Sequence, residues 1–171
     1  MADGGASSFI MLVTALLVSG AASATLLAEW NAFNRSTLVA SSGLEADAAT
    51  SVSFAGDPAL VPYDTTTDEI DLYLLNSGSL TLDKDNIAVQ VDGSPALVVS
   101  VAVLDSSTGA WQTSAAWGPG DLVRVTTEDG GSGWSYNDGD EVTLLVVCRS
   151  EPTRGVTGSD VVNEEVRLTH A

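Results

Sequence analysis

Hydrophobic and polar residues form two different patterns along the chain. Residues 9–28 are an uncharged run of twenty residues, FIMLVTALLVSGAASATLLA. A helix rises about 1.5 Å per residue, so this run spans about 30 Å, the hydrocarbon thickness of a bilayer. Glu29 and Trp30 follow it, where the first water-facing charge and an interfacial aromatic belong. The pattern predicts a transmembrane anchor helix over residues 1–30.

Residues 31–48 predict a stalk or an extension of the helix, ending at about residues 41–43. Beyond it, apolar residues recur in short strand-like runs separated by turn residues. Ile70, Leu72 and Leu74 share one face of such a run, and Asp92-Gly93 is a strong hairpin signal. We expect further strands at residues 51–54, 87–91, 96–104, 122–127, 142–148 and 161–169. We expect the run at 96–104, apolar on both faces, to be buried.

Seven or eight strands at near-regular spacing, with no amphipathic helix between them, predict an all-β fold over residues 49–171. The size is that of an immunoglobulin-like antiparallel β-sandwich. The chain lacks the Cys–Trp–Cys framework of true immunoglobulin domains, since Cys148 is its only cysteine. The prediction is therefore of sandwich architecture, preceded by a single N-terminal transmembrane α-helix.

Two other interpretations of the first thirty residues stay open. Ala22-Ser23-Ala24 fits the cleavage pattern of a secretory signal, although no Lys or Arg precedes the apolar run. Gly4-Gly5 before the run suggests pilin-type processing, although the usual basic residue and early Glu are missing. Gly20, Ala24 and Ala28 recur every four residues and predict close helix packing, but such residues are common in any membrane helix.

Charge is segregated in the same way as hydropathy. The chain has 23 acidic and 6 basic residues, a formal charge of −17, yet Asp3 is the only charged residue before Glu29. Six dispersed bases cannot replace the counterions of nucleic acid or bind anionic lipid, so no nucleic-acid partner is expected. An acidic surface of this kind is typical of proteins that work in concentrated salt. A merely acidic protein of ordinary habitat is the alternative.

Catalytic, metal and cofactor sites are not predicted. His170 is the only histidine, lies next to the C-terminus, and is a poor candidate for a general base. No nucleophile elbow, phosphate loop or zinc ligand set is present, and Cys148 lies in an apolar run that predicts a buried structural thiol. Residues 83–86 and 138–141 offer closely spaced acids for Ca²⁺, but turns favour Asp and Asn, and we prefer that interpretation. Asn34-Arg35-Ser36 is a possible N-glycosylation sequon at Asn34.

Two stretches resemble a known family. They are Ile70-Asp-Leu-Tyr-Leu-Leu-Asn-Ser-Gly-Ser-Leu-Thr-Leu82 and Trp117-Gly-Pro-Gly-Asp-Leu-Val-Arg124. Together with the uncharged N-terminus, the apolar helix and the acidic sandwich, they resemble the archaellum (archaeal flagellum) stator proteins of haloarchaea. The FlaG (ArlG) type is the closer match and the FlaF (ArlF) type the second.

The resemblance implies a non-enzymatic structural part of the archaellum motor in archaeal motility. The helix would anchor it in the cytoplasmic membrane, and the extracellular domain would contact copies of itself as a homo-oligomer, a FlaF-type protein or the S-layer protein. A type IV pilin-like filament subunit is one alternative. A membrane-anchored extracellular adhesion or binding module is another, suggested by Trp111, Trp117 and Trp134 if these are exposed.

The charge generates a testable expectation for stability. Moving the purified protein, in a non-ionic detergent, from about 1 M to about 0.1 M salt lengthens the Debye length from about 3 Å to about 10 Å. Repulsion among the acidic side chains is then less screened, so we expect a lower melting temperature by calorimetry. A melting temperature that stays the same or rises would contradict halophilic adaptation.

Overall fold

A computed structural model describes residues 4–131, 133–153 and 155–170. It contains one long helix, α1 (Gly4–Ala49), and a sheet-rich segment of nine strands. The strands are β1 (Val52–Phe54), β2 (Val61–Asp64), β3 (Glu69–Asn76), β4 (Ala88–Val91), β5 (Ser94–Asp105), β6 (Ala110–Gln112), β7 (Leu122–Asp129), β8 (Glu141–Arg149) and β9 (Ser159–His170). The chain divides into two compact units, one ending at Ser42 and one beginning at Gly43, and each is described by itself.

The helix ends later than the sequence suggested. Residues 41–43, with Gly43, were expected to stop it, but α1 continues to Ala49. The residues after Gly43, Leu-Glu-Ala-Asp-Ala-Ala, include strong helix formers, which offset the cost of one glycine. Ala46, which belongs to the second unit, is buried there, so tertiary packing also favours these last turns.

Seven strands of the second unit form a closed circuit of hydrogen-bonded neighbours. Its order is β3–β7–β5–β4–β8–β9–β2 and back to β3. All of these pairs are antiparallel except β2 with β9, which run parallel. The two remaining strands lengthen edges: β1 pairs with β3, and β6 pairs with β5. The predicted fold, a mostly β sandwich or barrel after one apolar helix, is confirmed.

Strict alternation builds the core of this barrel. Inward residues of β3, β7 and β8 are buried, and the residues between them face outward. The largest fully buried side chains are Trp117, Tyr63, Ile70, Leu72, Leu74, Leu82, Leu144 and Leu168. The Asp92-Gly93 hairpin is also present, with φ of 51° and 78° at its two central residues, as the favoured two-residue turn requires.

Other details differ from the expectations. Two short strands, β2 and β6, were not anticipated, because three or four residues are too few to show alternation. The strand expected to be buried on both faces is β5, and the side chains of Leu97 and Val99 are 53% and 49% exposed. Trp117 is fully buried in the core, whereas Trp111 and Trp134 are half-buried. None of these three tryptophans is the exposed aromatic that the sequence suggested.

Gly158 generates a prediction about the packing of the helix end. A Cβ at this position would overlap the carbonyl oxygen of Ala46 and the hydroxyl of Thr50. We expect Gly158→Ala to lower the free energy of unfolding by about 1–3 kcal/mol, the usual cost of overpacking, measured by thermal unfolding.

The control is Gly43→Ala, where a Cβ meets no atom within 4 Å. That substitution should raise helix stability by about 0.5–1 kcal/mol because it removes the backbone entropy of a helical glycine. Equal melting temperatures for the two variants would show that the close approach at Gly158 has no energetic role.

Candidate functional site: the apolar helix and the docked helix end

Residues 9–28 of α1, in the first unit, carry no charge on any face of the helix. The most apolar 18-residue window of the helix has a mean hydropathy of 2.1, and the helix is long and apolar enough to cross a membrane. Gly20, Ala24 and Ala28 lie at successive four-residue steps on one exposed face, so their predicted packing role stays a prediction. Asn34 lies on the same helix and is exposed.

The last turn of α1 is fixed by its own C-terminal residues. The Thr50 amide donates to the carbonyl oxygens of Ala46 and Asp47 at 3.0 and 3.1 Å, and its hydroxyl donates to Ala46 at 2.8 Å. Asp47 accepts a hydrogen bond from the Ser159 amide at the start of β9, at 2.9 Å. The last four carbonyls of a helix have no partner within the helix. Here Thr50 supplies a donor for two carbonyls near the helix end, those of Ala46 and Asp47.

The turn after β3 holds the residues that follow the helix. The amides of Ser77 and Gly78 donate to the carbonyl oxygen of Ser51 at 3.0 and 2.9 Å, and the Ser79 amide donates to Ala49 at 2.9 Å. A Cβ on Gly78 would approach Ala49 and Ser51 backbone atoms to within 2.6 Å. Glycine is therefore needed at this position because backbone packs directly on backbone.

Asn76 joins this turn to a second loop. Its side-chain amide donates to the carbonyl oxygens of Leu80 and Trp117 at 2.9 and 3.2 Å, and its own backbone pairs with Asp121 and Gly120. Asn76 is fully buried, so each of these bonds compensates for its desolvation. The two stretches that carry the family resemblance, Ile70–Leu82 and Trp117–Arg124, are thereby packed into one structural unit.

A carboxylate on β9 completes the junction. Asp160 accepts a hydrogen bond from the Val52 amide at 2.8 Å, across 108 positions of sequence, and another from Val161 at 2.9 Å. Next to it, Gly158 and Ser150 exchange two hydrogen bonds at 2.8 and 2.9 Å. The first strand after the helix is therefore held from both β3 and β9. We call residues 46–52, 77–79 and 158–160 the helix-end junction.

The residues considered for chemistry have structural roles. Asp83 caps the 3-10 turn Lys84–Asn86 by accepting from the Asp85 amide at 3.0 Å, and Asp140 accepts from the Asn137 amide at 2.8 Å. Burial, with a smaller contribution from nearby Asp160, raises the pKa of the Cys148 thiol to about 12, so it is inert at neutral pH. His170 ends β9, and its amide donates to Asp138. The helix-end junction connects the end of α1 to the turn after β3 and to β9 by hydrogen bonds.

Sequence reasoning missed most of the helix-end junction. In the sequence, Asn76-Ser77-Gly78 indicates only that a strand ends there, and Asp160 gives no signal because its partner is 108 residues away. Gly158 could have been noticed as a glycine beside a strand start, which often marks close backbone approach. The contacts themselves required the three-dimensional structure.

Comparison with known proteins gives one match that covers nearly the whole chain. A model of the family described as archaeal-type flagellin matches residues 2–159. No curated protein matches the chain. Among solved structures, the periplasmic chaperone SfaE is 10% identical with a TM-score of 0.25, over 70% of this chain and 56% of that one. The CooA pilin subunit from enterotoxigenic Escherichia coli is 9% identical with a TM-score of 0.24, over 72% and 97%.

Those two structural likenesses are too low to carry an argument. This chain spans little more than half the length of the chaperone. The family match is of a different kind, because it begins at the N-terminal apolar segment and extends through the strands up to the start of β9.

Asp160 generates a prediction about the helix-end junction. Asp160→Asn keeps the size of the side chain but replaces one acceptor oxygen by an NH₂ group, which cannot accept from a backbone amide. One of the two amides, Val52 or Val161, loses its partner, so we expect the free energy of unfolding to fall by about 1–3 kcal/mol in denaturant titrations.

Glu164→Gln is the matched control, since it removes the same charge from an exposed position on the same strand. It should leave stability unchanged or raise it slightly by reducing acidic repulsion. If both variants unfold at the same denaturant concentration, the Asp160 contact does not stabilise the junction.

Proposed function

The chain belongs to the archaeal-type flagellin family, and on that premise we propose that it is a membrane-anchored, non-enzymatic component of the archaellum stator. Membership supports an archaellum-related structural role and a place in motility. The finer assignment, a stator protein of the FlaG type with the FlaF type as second choice, is the proposal. It rests on the two stretches that pack around Asn76.

The helix-end junction is the observation that carries this proposal. A stator must resist torque, so force applied to its outer domain has to reach its anchor without a flexible hinge. Here no free linker separates the end of α1 from β1, because Ala49 and Ser51 accept hydrogen bonds from the turn at Ser77–Ser79 and Val52 donates one to Asp160 on β9. A chain that only needed tethering would not require backbone packed on backbone at this point.

The proposal places the helix in the cytoplasmic membrane and the acidic β-domain outside the cell. The segregated charge supports that arrangement, since all but four of the 23 acids (the exceptions being Asp3, Glu29, Glu45 and Asp47) follow residue 49. In a salty exterior such a surface stays hydrated and its repulsion is screened. The partners proposed are further copies of this chain, a FlaF-type protein and the S-layer protein.

A filament subunit is the second candidate. The family match reaches back to residue 2, and Gly4-Gly5 precedes the apolar run in the position of a pilin-type processing site. Processing would release the helix into a filament core. The adhesion module has less support, because the tryptophans that suggested it are buried or half-buried.

Deletion of the gene, with swimming and filament assembly scored separately, tests the stator assignment. We expect cells without the protein to lose swimming, and re-expression of the unaltered chain to restore it. A Gly158→Ala chain, weakened at the helix-end junction, should restore swimming less well than Gly43→Ala at equal protein level. Deleted cells that build archaella and swim normally would refute the stator function.

Mass spectrometry of the native N-terminus separates the two candidates in the same strain. An intact Met1–Gly5 stretch supports the anchored stator. A chain that begins at Ala6 and is found in purified filaments would establish the filament subunit in its place.

A further inference from the structure

One stretch of sheet edge has no strand beside it among the residues that the structure describes. β5 pairs with β7 along most of its length. On its other side, pairing with β4 extends only as far as Ala96 of β5, and pairing with β6 starts at Val103 of β5. Residues 97–102 between them border an open groove of about 560 Å³, lined by Lys84, Asp85, Ile87, Val98, Val99, Ser100, Val101 and Thr113.

The groove has a fixed shape. Lys84 donates hydrogen bonds to the carbonyl oxygens of Thr113 and Ala115, the latter at 3.0 Å, so its side chain ties the turn before β4 to the loop after β6. β5 carries a bulge between Val98 and Ser100, which leaves Val99 out of the ladder and exposed. The groove is therefore formed before any partner arrives.

The strand at this edge carries almost no charge, and the two charged residues that line the groove, Lys84 and Asp85, are of opposite sign. Residues 93–120 include β5, β6 and the following loop, and Asp105 is their only charged residue. Its carboxylate accepts hydrogen bonds from Ser107, Thr108 and Gln112, and the bonds from Ser107 and Thr108 lower its pKa to about 2. Exposed edges are normally protected by charged side chains. Here the neighbouring exposed residues are Leu97 and Val99 instead.

We propose that a second copy of this chain docks edge to edge at this surface, which carries no net charge, with the two Val99 side chains near a two-fold axis. The neutral edge is defined as residues 97–102 with the groove beside them. This inference rests on the proposed function only in taking the chain to be membrane-anchored. It names the surface through which the proposed homo-oligomer forms.

The net charge of the chain indicates which partner binds at the neutral edge. Two copies each carry a formal charge of −17, so any contact through acid-bearing strands sets like charges against each other. A basic partner would gain nothing from a neutral edge in preference to the acidic faces. An isologous contact further requires that the same patch be complementary to itself, and Leu97 and Val99 can cover the groove of the opposite copy.

A contact between membrane-anchored copies needs a lower affinity than one between soluble copies. The neutral edge is short, so it buries less area than a stable soluble dimer requires, about 800 Å² per partner. Anchored copies share one orientation and a high effective concentration, which can raise apparent affinity by about 10²-fold or more.

Site-directed cross-linking of the full chain in native membranes tests the interface. The buried Cys148 thiol does not react, so Val99→Cys introduces the one reactive thiol to be probed with a short bismaleimide. Val161→Cys is the matched control, the same substitution at a 53% exposed valine on β9, close to Asp160 and Glu164. We expect the yield of cross-linked dimer at position 99 to exceed that at position 161 by about tenfold.

Adding Leu97→Glu to the Val99→Cys chain should reduce the yield toward that of the control, because it sets two new acids near the axis. Equal yields at positions 99 and 161, no effect of Leu97→Glu, or cross-linking of position 99 to a different protein would each overturn the inference. These outcomes do not depend on swimming. Normal motility after gene deletion would refute the stator function and leave the cross-link result standing.

Discussion

The close approach of backbone to backbone at the end of α1 is the constraint on which the rest of the structure depends. A helix satisfies its own hydrogen bonds except in its last turn, where free carbonyls must find partners. Here they lie beside the turn at Ser77–Ser79 and the start of β9, and no side chain fits between at Gly78 or Gly158. Asn76, at the start of this turn, donates a side-chain hydrogen bond to the carbonyl oxygen of Trp117 and so links the turn to the loop around Trp117. The packing at this end of the sheet therefore depends on the last residues of α1.

Closure of the sheet explains why so much of this domain can be acidic. In a closed circuit nearly every strand has two neighbours, so stability comes from backbone pairing and an alternating core, and outward positions are free to carry charge. The cost is self-repulsion, which concentrated salt screens. β5 is different, because residues 97–102, between its pairing with β4 and its pairing with β6, have no partner strand on that side among the described residues and include no charged residue. Absence of charge at an open edge, in a chain of −17, is the opposite of what protection from aggregation requires, and this is why a partner is inferred there.

Much of the fold was readable from the sequence, and the failures have physical causes. The apolar run, the alternation of Ile70, Leu72 and Leu74, and the Asp92-Gly93 hairpin each express a local rule, and the helix, β3 and the β4–β5 hairpin follow. The helix end at Ala49 was missed because packing of Ala46 overrides the glycine at 43. The site was the least predictable part. The bond from Val52 to Asp160 joins residues 108 apart, and local pattern contains no information about such a pair.

The helix-end junction and the neutral edge differ in the strength of the contacts that each requires. Each hydrogen bond at the junction contributes only about 0.5–1.5 kcal/mol, so a single bond could not resist a sustained load. Residues 49–52 are bonded to the turn at Ser77–Ser79, to Asp160 and, through Thr50, to the last turn of the helix itself, so several bonds have to break before this segment separates from the sheet. In the proposed dimer weak edge contacts suffice, because copies confined to one membrane have already lost part of the translational freedom that binding would otherwise cost.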